Sequence, residues 1–240
     1  MIELLHQIEQ IDTQIFLFFN GFHNEYWDYF MMIFSDRFVW VPFYASFIFV
    51  LLKNFPVKVV MSTIVVITLI ILFSDQTASG FLKPLVARMR PSNPDNPISP
   101  MVHVVQGYRG GRYGFPSSHA ANAWSMAFFA QYLVRRSKLT IFLCLWALIT
   151  SYSRMYLGVH YFGDLMIGTL IGFLYATLYY YIFQHFLRKH TERFKPNHDI
   201  RFASVPIITG LVSIWVIICT SGILSFYNIP LRLSLIHISE

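Results

Sequence analysis

The sequence predicts an all-α integral membrane protein: a six-transmembrane helix bundle with an N-terminal interfacial helix. Three observations lead there. Hydrophobic residues make up 55% of the chain and charged ones 12%, against roughly 25% charged in an ordinary soluble domain. Six apolar runs recur, each the length, or nearly the length, that a helix needs to cross a bilayer. The basic residues between them gather in alternate loops.

Residues 1–36 come first and differ from the rest. Phe16, Phe18, Phe19, Phe22, Trp27, Tyr29 and Phe30 are interleaved with Asn20, His23, Asn24, Glu25 and Asp28. Aromatic rings mixed with polar groups suit the headgroup level better than the bilayer centre. Residues 1–36 are therefore expected to lie in the interface, with a seventh span over residues 13–34 as the alternative. They do not read as a cleavable signal, since no basic start precedes an unbroken apolar stretch. Residues 37–228 form the transmembrane domain, with apolar runs at 38–52, 57–81, 120–134, 139–156, 165–186 and 205–227. The first and third are short and extend into their flanks. Within the fifth, Gly168 and Gly172 have the small-xxx-small spacing that lets helices pack closely, here inside the bundle. Cys144 and Cys219 fall in apolar runs and read as packing residues. The tail, residues 229–240, ends in LIHISE and carries no evident role.

Threading six spans places ten basic residues on one side: Lys53 and Lys58, then Arg135, Arg136 and Lys138, then Arg188, Lys189, Arg193, Lys195 and Arg201. Loops rich in Lys and Arg stay in the cytoplasm. Arg88, Arg109 and Arg112 then face outward, where an anionic substrate would account for them. The net charge of +6 reflects topology plus an anion site; nucleic acid is not an expected partner, because no basic stripe on a soluble fold is present.

Three stretches on the outward side carry chemistry: KPLVARMRP (residues 83–91), PSSH (116–119) and SRMYLGVHYFGD (153–164). A phosphoryl group spreads negative charge over its oxygens, so a site that breaks its ester needs fixed cations, donors, a nucleophile and an acid. Lys83, Arg90 and Arg154 supply charge, Ser117 and nearby backbone N–H groups supply donors, and His119 and His160 supply nucleophile and acid. No carboxylate cluster or Cys/His ligand set accompanies them. The cations would do what Mg²⁺ or Zn²⁺ does elsewhere, so no metal and no cofactor is expected. Pro116 sits where a helix would begin, its missing N–H costing nothing in a first turn; that helix end would point free N–H groups at the anion.

These stretches resemble the type 2 phosphatidic acid phosphatase family, membrane lipid-phosphate phosphatases related to acid phosphatases and vanadium haloperoxidases. The family pattern is K-x6-RP, PSGH and SR-x5-H-x3-D; the first and third are complete here, and Ser118 stands where the family usually has Gly. The resemblance implies that His160 attacks phosphorus to form a phosphohistidine. It implies that Asp164 holds the other ring nitrogen, and that His119 protonates the departing oxygen and then activates water. Lys83, Arg90, Ser117, Ser118 and Arg154 would bind the phosphate. The KPLVARMRP stretch and the PSSH variant look like those of bacterial lipid A or undecaprenyl diphosphate phosphatases of the family. The implied setting is a bacterial inner membrane, crossed several times, with the site facing periplasm or exterior.

Lipid A phosphates, undecaprenyl diphosphate, phosphatidylglycerol phosphate and phosphatidic acid all suit such a site. The loop of residues 92–114, rich in Pro and Gly, is expected to roof it, with Tyr108, Arg109, Arg112 and Tyr113 as candidate headgroup readers or as plain surface residues. Asp75 interrupts the second run and is read either as a structural hydrogen-bonding group or as support for the cations. A phosphotransferase of the same fold, passing the group to a lipid or sugar, is the alternative that the residues leave open. A non-catalytic lipid-binding protein would need no intact His160–Asp164 pair. The sequence gives no oligomeric state.

Overall fold

The computed structural model describes residues 2–190 and 200–231. The basic residues at 193 and 195 and the tail from 232 onward lie outside the described residues. Among the described residues regular structure is helical, broken only by an isolated bridge between Met89 and Tyr113.

Two helices come first, α1 (Ile2–Asn20) and α2 (Glu25–Ser35). Asn24 caps α2 by accepting the Trp27 N–H at 2.9 Å. α2 buries Tyr29, Phe30, Met31, Met32 and Phe34 and packs on α7 and α9. Of the N-terminal aromatics, Phe18, Phe19, Phe22 and Trp27 are exposed, while Phe16, Tyr29 and Phe30 belong to the interior. Asp36 ends α2 and accepts the Phe38 N–H at 2.8 Å, which starts a 3₁₀ turn, Arg37–Trp40, leading into α3 (Val41–Asn54). α2 and the Arg37–Asn54 stretch meet at 65°.

The run expected at 57–81 is longer than its apolar residues. α4 (Val57–Asp75) continues through a π-helical stretch, Gln76–Leu82, into the short α5 (Lys83–Val86), making one rod of 30 residues. Asp75 marks the α4–π junction. Ala87, in the left-handed region at φ 51°, ends the rod. After the 88–117 connection come α6 (Ser118–Val134), α7 (Ser137–Tyr156), α8 (Phe162–His190) and α9 (Val205–Tyr227).

Among the described residues four helices are long and apolar enough to cross a membrane: Val57–Val86, Ser137–Tyr156, Phe162–Leu187 and Val205–Tyr227; the bent pair Glu25–Ser35 with Arg37–Asn54 makes up to five. α6 has only 17 residues, and small or polar side chains, among them Ser118, Ala120, Ala121, Ala123 and Ser125, are buried along it. It packs most closely on α8. A Cβ added at Gly172 would meet the Ala121 carbonyl at 2.5 Å and the Ser125 nitrogen at 2.8 Å, and one at Gly168 would strike the Ser117 carbonyl. The two glycines let the backbones touch.

The Asn54 side chain links two loops at one end, donating to the Arg201 carbonyl at 2.8 Å and accepting the Arg201 N–H at 2.7 Å. The three sequence stretches that carry chemistry lie at the opposite helix ends: the C-terminal ends of α5 and α7 and the N-terminal ends of α6 and α8.

Candidate active site

Four helix ends and one connection build the site. Residues 88–90 run against 112–114, with Arg90 N–H donating to the Arg112 carbonyl at 3.2 Å and Gly114 N–H to the Arg88 carbonyl at 2.9 Å. Arg90 is thereby driven inward; the residue is 1% exposed, and its Nε donates to the Tyr113 carbonyl at 3.2 Å. Gly114 leaves room for both groups: a Cβ would lie 3.0 Å from Asp164 Oδ2 and 3.3 Å from Arg90 Cγ, and would press on them.

The second stretch forms a helix start, two residues later than Pro116 suggested. Ser117 is the N-cap of α6, accepting the Ala120 N–H at 3.3 Å, and helical geometry begins at Ser118. Pro116, after a cis peptide bond from Phe115, precedes the cap instead of occupying the first turn. Ser117 N–H donates to the Asp164 carbonyl at 3.0 Å, joining the start of α6 to the start of α8. Ser117 and Ser118 are buried and His119 is half-buried.

α7 ends at Tyr156, and Gly158, at φ 77°, turns the chain back under the roof loop, where a Cβ would meet Val102 Cγ1 at 2.9 Å. That turn aims His160 into the protein. His160 and Asp164 are both fully buried, with Nδ1 and Oδ2 3.3 Å apart. The same Oδ2 accepts the Tyr161 N–H at 3.0 Å, and Oδ1 accepts from Arg88 at 3.0 Å. A carboxylate accepts from all three donors, which places the imidazole proton on Nδ1 and the lone pair on Nε2. Nε2 is buried with no hydrogen-bond partner among the described residues. Burial foremost, then the charges of Arg90, Arg154, Lys83 and His119, hold the His160 pKa well below its usual value. Lys83, Arg90, His119 and Arg154, drawn from all three stretches, therefore lie close enough to His160 to act on its charge, and Ser117 is tied to the start of α8.

Arg154, 3% exposed, is fixed by Ser35 Oγ at 2.8 Å and by the Tyr108 hydroxyl at 2.9 Å. Neither partner is legible in the sequence. Two of the three outward arginines also turn out to be engaged within the protein. Arg109 donates to the Ser92 carbonyl and, at 3.1 Å, to Ser99 Oγ, tying the roof loop to itself. Arg88 joins Asp12 at 2.8 Å to Asp164 at 3.0 Å. Arg109 stays exposed all the same, as does Arg112, whose guanidinium lies 5.6 Å over the Tyr113 ring. Tyr108 orients Arg154, so of the four candidate headgroup readers Tyr108 and Arg109 have structural work. His103 lies 2.9 Å from Asp28 Oδ1 and stacks on His23 at 3.6 Å.

A buried neutral imidazole held by a carboxylate, ringed by cations at one end of a bundle of apolar helices, defines a class: a membrane enzyme acting on phosphate esters. Comparison with known proteins agrees. The PAP2 superfamily family model matches residues 59–188. The lipid A 4'-phosphatase of Bacteroides thetaiotaomicron is 47% identical over 218 residues, covering 89% of this chain and 95% of that protein. The lipid A 4'-phosphatase of Porphyromonas gingivalis is 33% identical over 180 residues, 75% of each. The crystal structure of Aquifex aeolicus LpxE shares the fold with a TM-score of 0.54 at 22% identity, covering 70% of this chain and 94% of that one. The chain belongs to the PAP2 superfamily. It is a phosphomonoester hydrolase with the apolar helices of a membrane protein.

Proposed function

We propose that this enzyme removes a phosphate from a membrane lipid, with the 4'-phosphate of lipid A as the leading substrate, through a phosphohistidine on His160. The observation that carries it is the His160 ring: Nδ1 held 3.3 Å from Asp164 and Nε2 buried without a partner among the cations. The choice of lipid A rests on the two lipid A 4'-phosphatases that this chain resembles.

In this reading the Nε2 lone pair attacks phosphorus and the P–O bond to the lipid breaks. His119 gives its proton to the departing oxygen. Asp164 stabilises the positive charge that the ring acquires. Water then loses a proton to His119 and attacks phosphorus, the P–N bond breaks, and inorganic phosphate leaves with His160 neutral again. Lys83, Arg90 and Arg154 hold the transferring group, as do Ser117, Ser118 and the N–H groups at the start of α6. The protein's own cations offset the phosphate charge, so the chemistry needs no metal.

The six-span topology belongs to the same reading. The bent α2–α3 pair and α6 would complete the four long spans, with the basic loops cytoplasmic and the site facing outward, in a bacterial inner membrane. α1 would lie in the interface: Leu4, Ile8, Ile11 and Phe18 are exposed at helical spacing, an apolar stripe of the kind that rests on a bilayer surface. Residues 37–228 would be the transmembrane domain and 229–240 a tail.

The test is released phosphate from purified enzyme in detergent, with EDTA, against lipid A, undecaprenyl diphosphate, phosphatidylglycerol phosphate and phosphatidic acid. Lipid A should be turned over fastest, at its 4' position. Preference for any of the others overturns the substrate assignment.

A further inference from the structure

α1 reaches the active site, and nothing in the three sequence stretches announces it. Its inward stripe is Asp12, Phe16 and Asn20, spaced one turn apart, and all three are buried. Asn20 at one end donates to the Tyr156 carbonyl at 2.8 Å and accepts the His103 N–H at 2.8 Å, pinning the end of α7 and the roof loop together. Phe16 packs edge-on against Tyr161, the residue after His160, with ring centroids 5.4 Å apart. Asp12 meets the start of α8: its Oδ1 accepts the Gly163 N–H at 2.8 Å. Its Oδ2 lies 2.8 Å from Arg88 Nη1. A Cβ at Gly163 would fall 2.8 Å from Asp12 Oδ2, so a side chain there would push the carboxylate from its place.

Arg88 Nη1 stands between two carboxylates, 2.8 Å from Asp12 and 3.0 Å from Asp164, with its guanidinium carbon 3.8 Å over the Tyr161 ring. A buried carboxylate serving two donors on one oxygen and an arginine on the other has its plane fixed. Without the arginine, Oδ1 of Asp164 would be a buried charge with an unmet acceptor, free to rotate away from His160. Without Asp12, the arginine would have half its counter-charge and a second direction open to it.

We propose that Arg88 and Asp12 are positioning residues for the reaction, a relay in which the N-terminal helix sets the plane of the Asp164 carboxylate and thereby the aim of the His160 ring. Arg88 then serves an anion of the protein and not the phosphate of the substrate. This rests on the reading of His160 as nucleophile with Asp164 as its partner.

The experiment measures kcat and KM for phosphate release from lipid A in mixed micelles, or from whichever member of the lipid panel turns over fastest. It compares wild type with Arg88→Gln, Arg88→Lys, Asp12→Asn, the Asp12→Asn/Arg88→Gln pair and His160→Ala, per unit of folded protein by size-exclusion chromatography and thermal melting. Loss of a supporting contact of this kind costs about 10–100-fold in activity. Arg88→Gln should fall by that amount in kcat with KM within about threefold, and Arg88→Lys should recover part of it. Asp12→Asn should fall less, and the pair should be no worse than Arg88→Gln alone, because the two act through one contact. A rise in KM at unchanged kcat would make Arg88 a substrate ligand and overturn the proposal. So would a lowered melting temperature with kcat per folded molecule unchanged, which is the mark of a purely structural pair. If Arg88→Gln does not fold, the nearly isosteric Asp12→Asn decides by the same criteria. His160→Ala separates the two levels: activity retained there defeats the nucleophile assignment itself, whereas activity lost there but kept in Arg88→Gln and Asp12→Asn defeats only the relay.

Discussion

At the scale of single residues the chemistry turns on one imidazole kept neutral among cations. The Asp164 contact leaves Nε2 as the lone-pair nitrogen, so His160→Ala should abolish phosphate release in a protein that still elutes as a folded species. Retention of more than about a hundredth of wild-type kcat would show that another group attacks phosphorus. The low His160 pKa, caused by burial and then by Arg90, Arg154, Lys83 and His119, also has a pH signature. A free imidazole takes up a proton near pH 6.5; this one stays neutral to lower pH. The nucleophile's acid limb in kcat/KM should accordingly lie below about pH 6.5. A limb that depends on His160 and is centred at or above that value contradicts the assignment. The same shift acts on stability with a definite sign. As pH falls below the unfolded value the unfolded chain binds the proton and the folded one does not, so stability declines from there down to the folded pKa and is flat above the unfolded value.

Among the helices, two devices place the site. The first is the α6–α8 contact, where Gly168 and Gly172 face the Ser117 and Ala121 carbonyls. A side chain there meets backbone, which cannot swing aside. Gly172→Ala should destabilise the protein in detergent by about 1–3 kcal/mol, the usual cost of overpacking, and reduce activity by moving Ser117, whose N–H holds the start of α8. An unchanged melting temperature would contradict the close contact. The second device is the π-helical stretch Gln76–Leu82 just ahead of Lys83. One wider turn rotates everything after it relative to an α-helix. Deleting Ser79 should let the rod relax toward regular α geometry, changing the height and direction of Lys83 relative to α4, and lower kcat/KM while the rod still forms. Wild-type activity in the deletion variant would remove the π stretch from the account of the site.

For the whole molecule, the basic loops and the site lie at opposite helix ends, and Gly110 and Ser137 are both exposed. Single cysteines at these positions, in a background lacking Cys144 and Cys219, should label oppositely with a membrane-impermeant thiol reagent on spheroplasts. Gly110→Cys should react and Ser137→Cys should not until the membrane is opened. The reverse pattern would put the site in the cytoplasm and remove externally displayed lipids as substrates. EDTA should leave turnover intact and vanadate, which mimics five-coordinate phosphorus, should inhibit; loss of activity in EDTA restored by Mg²⁺ would show that the cations do not suffice.

Hydropathy and local spacing were enough, in the sequence, for the apolar helices and the three stretches around Lys83, Ser117 and His160. Both signals are local: a bilayer demands an unbroken apolar length, and a helix end or tight turn presents neighbouring residues together. The tertiary structure alone decided the rest. Residues 1–36 became two helices, one buried along its aromatic face, because the rings of α2 found partners on α7 and α9. Asp36 broke the chain between α2 and α3, a bend that composition does not record. Pro116 stayed outside the helix because Ser117 could cap it. Above all, a cation's partner is invisible in sequence when the two are far apart along the chain. Arg88 and Asp164 are separated by 76 residues and Asp12 and Gly163 by 151, so the sequence shows charges available to a phosphate. Burial then selects among them, since a charge removed from water must be paired with whatever lies nearest in space.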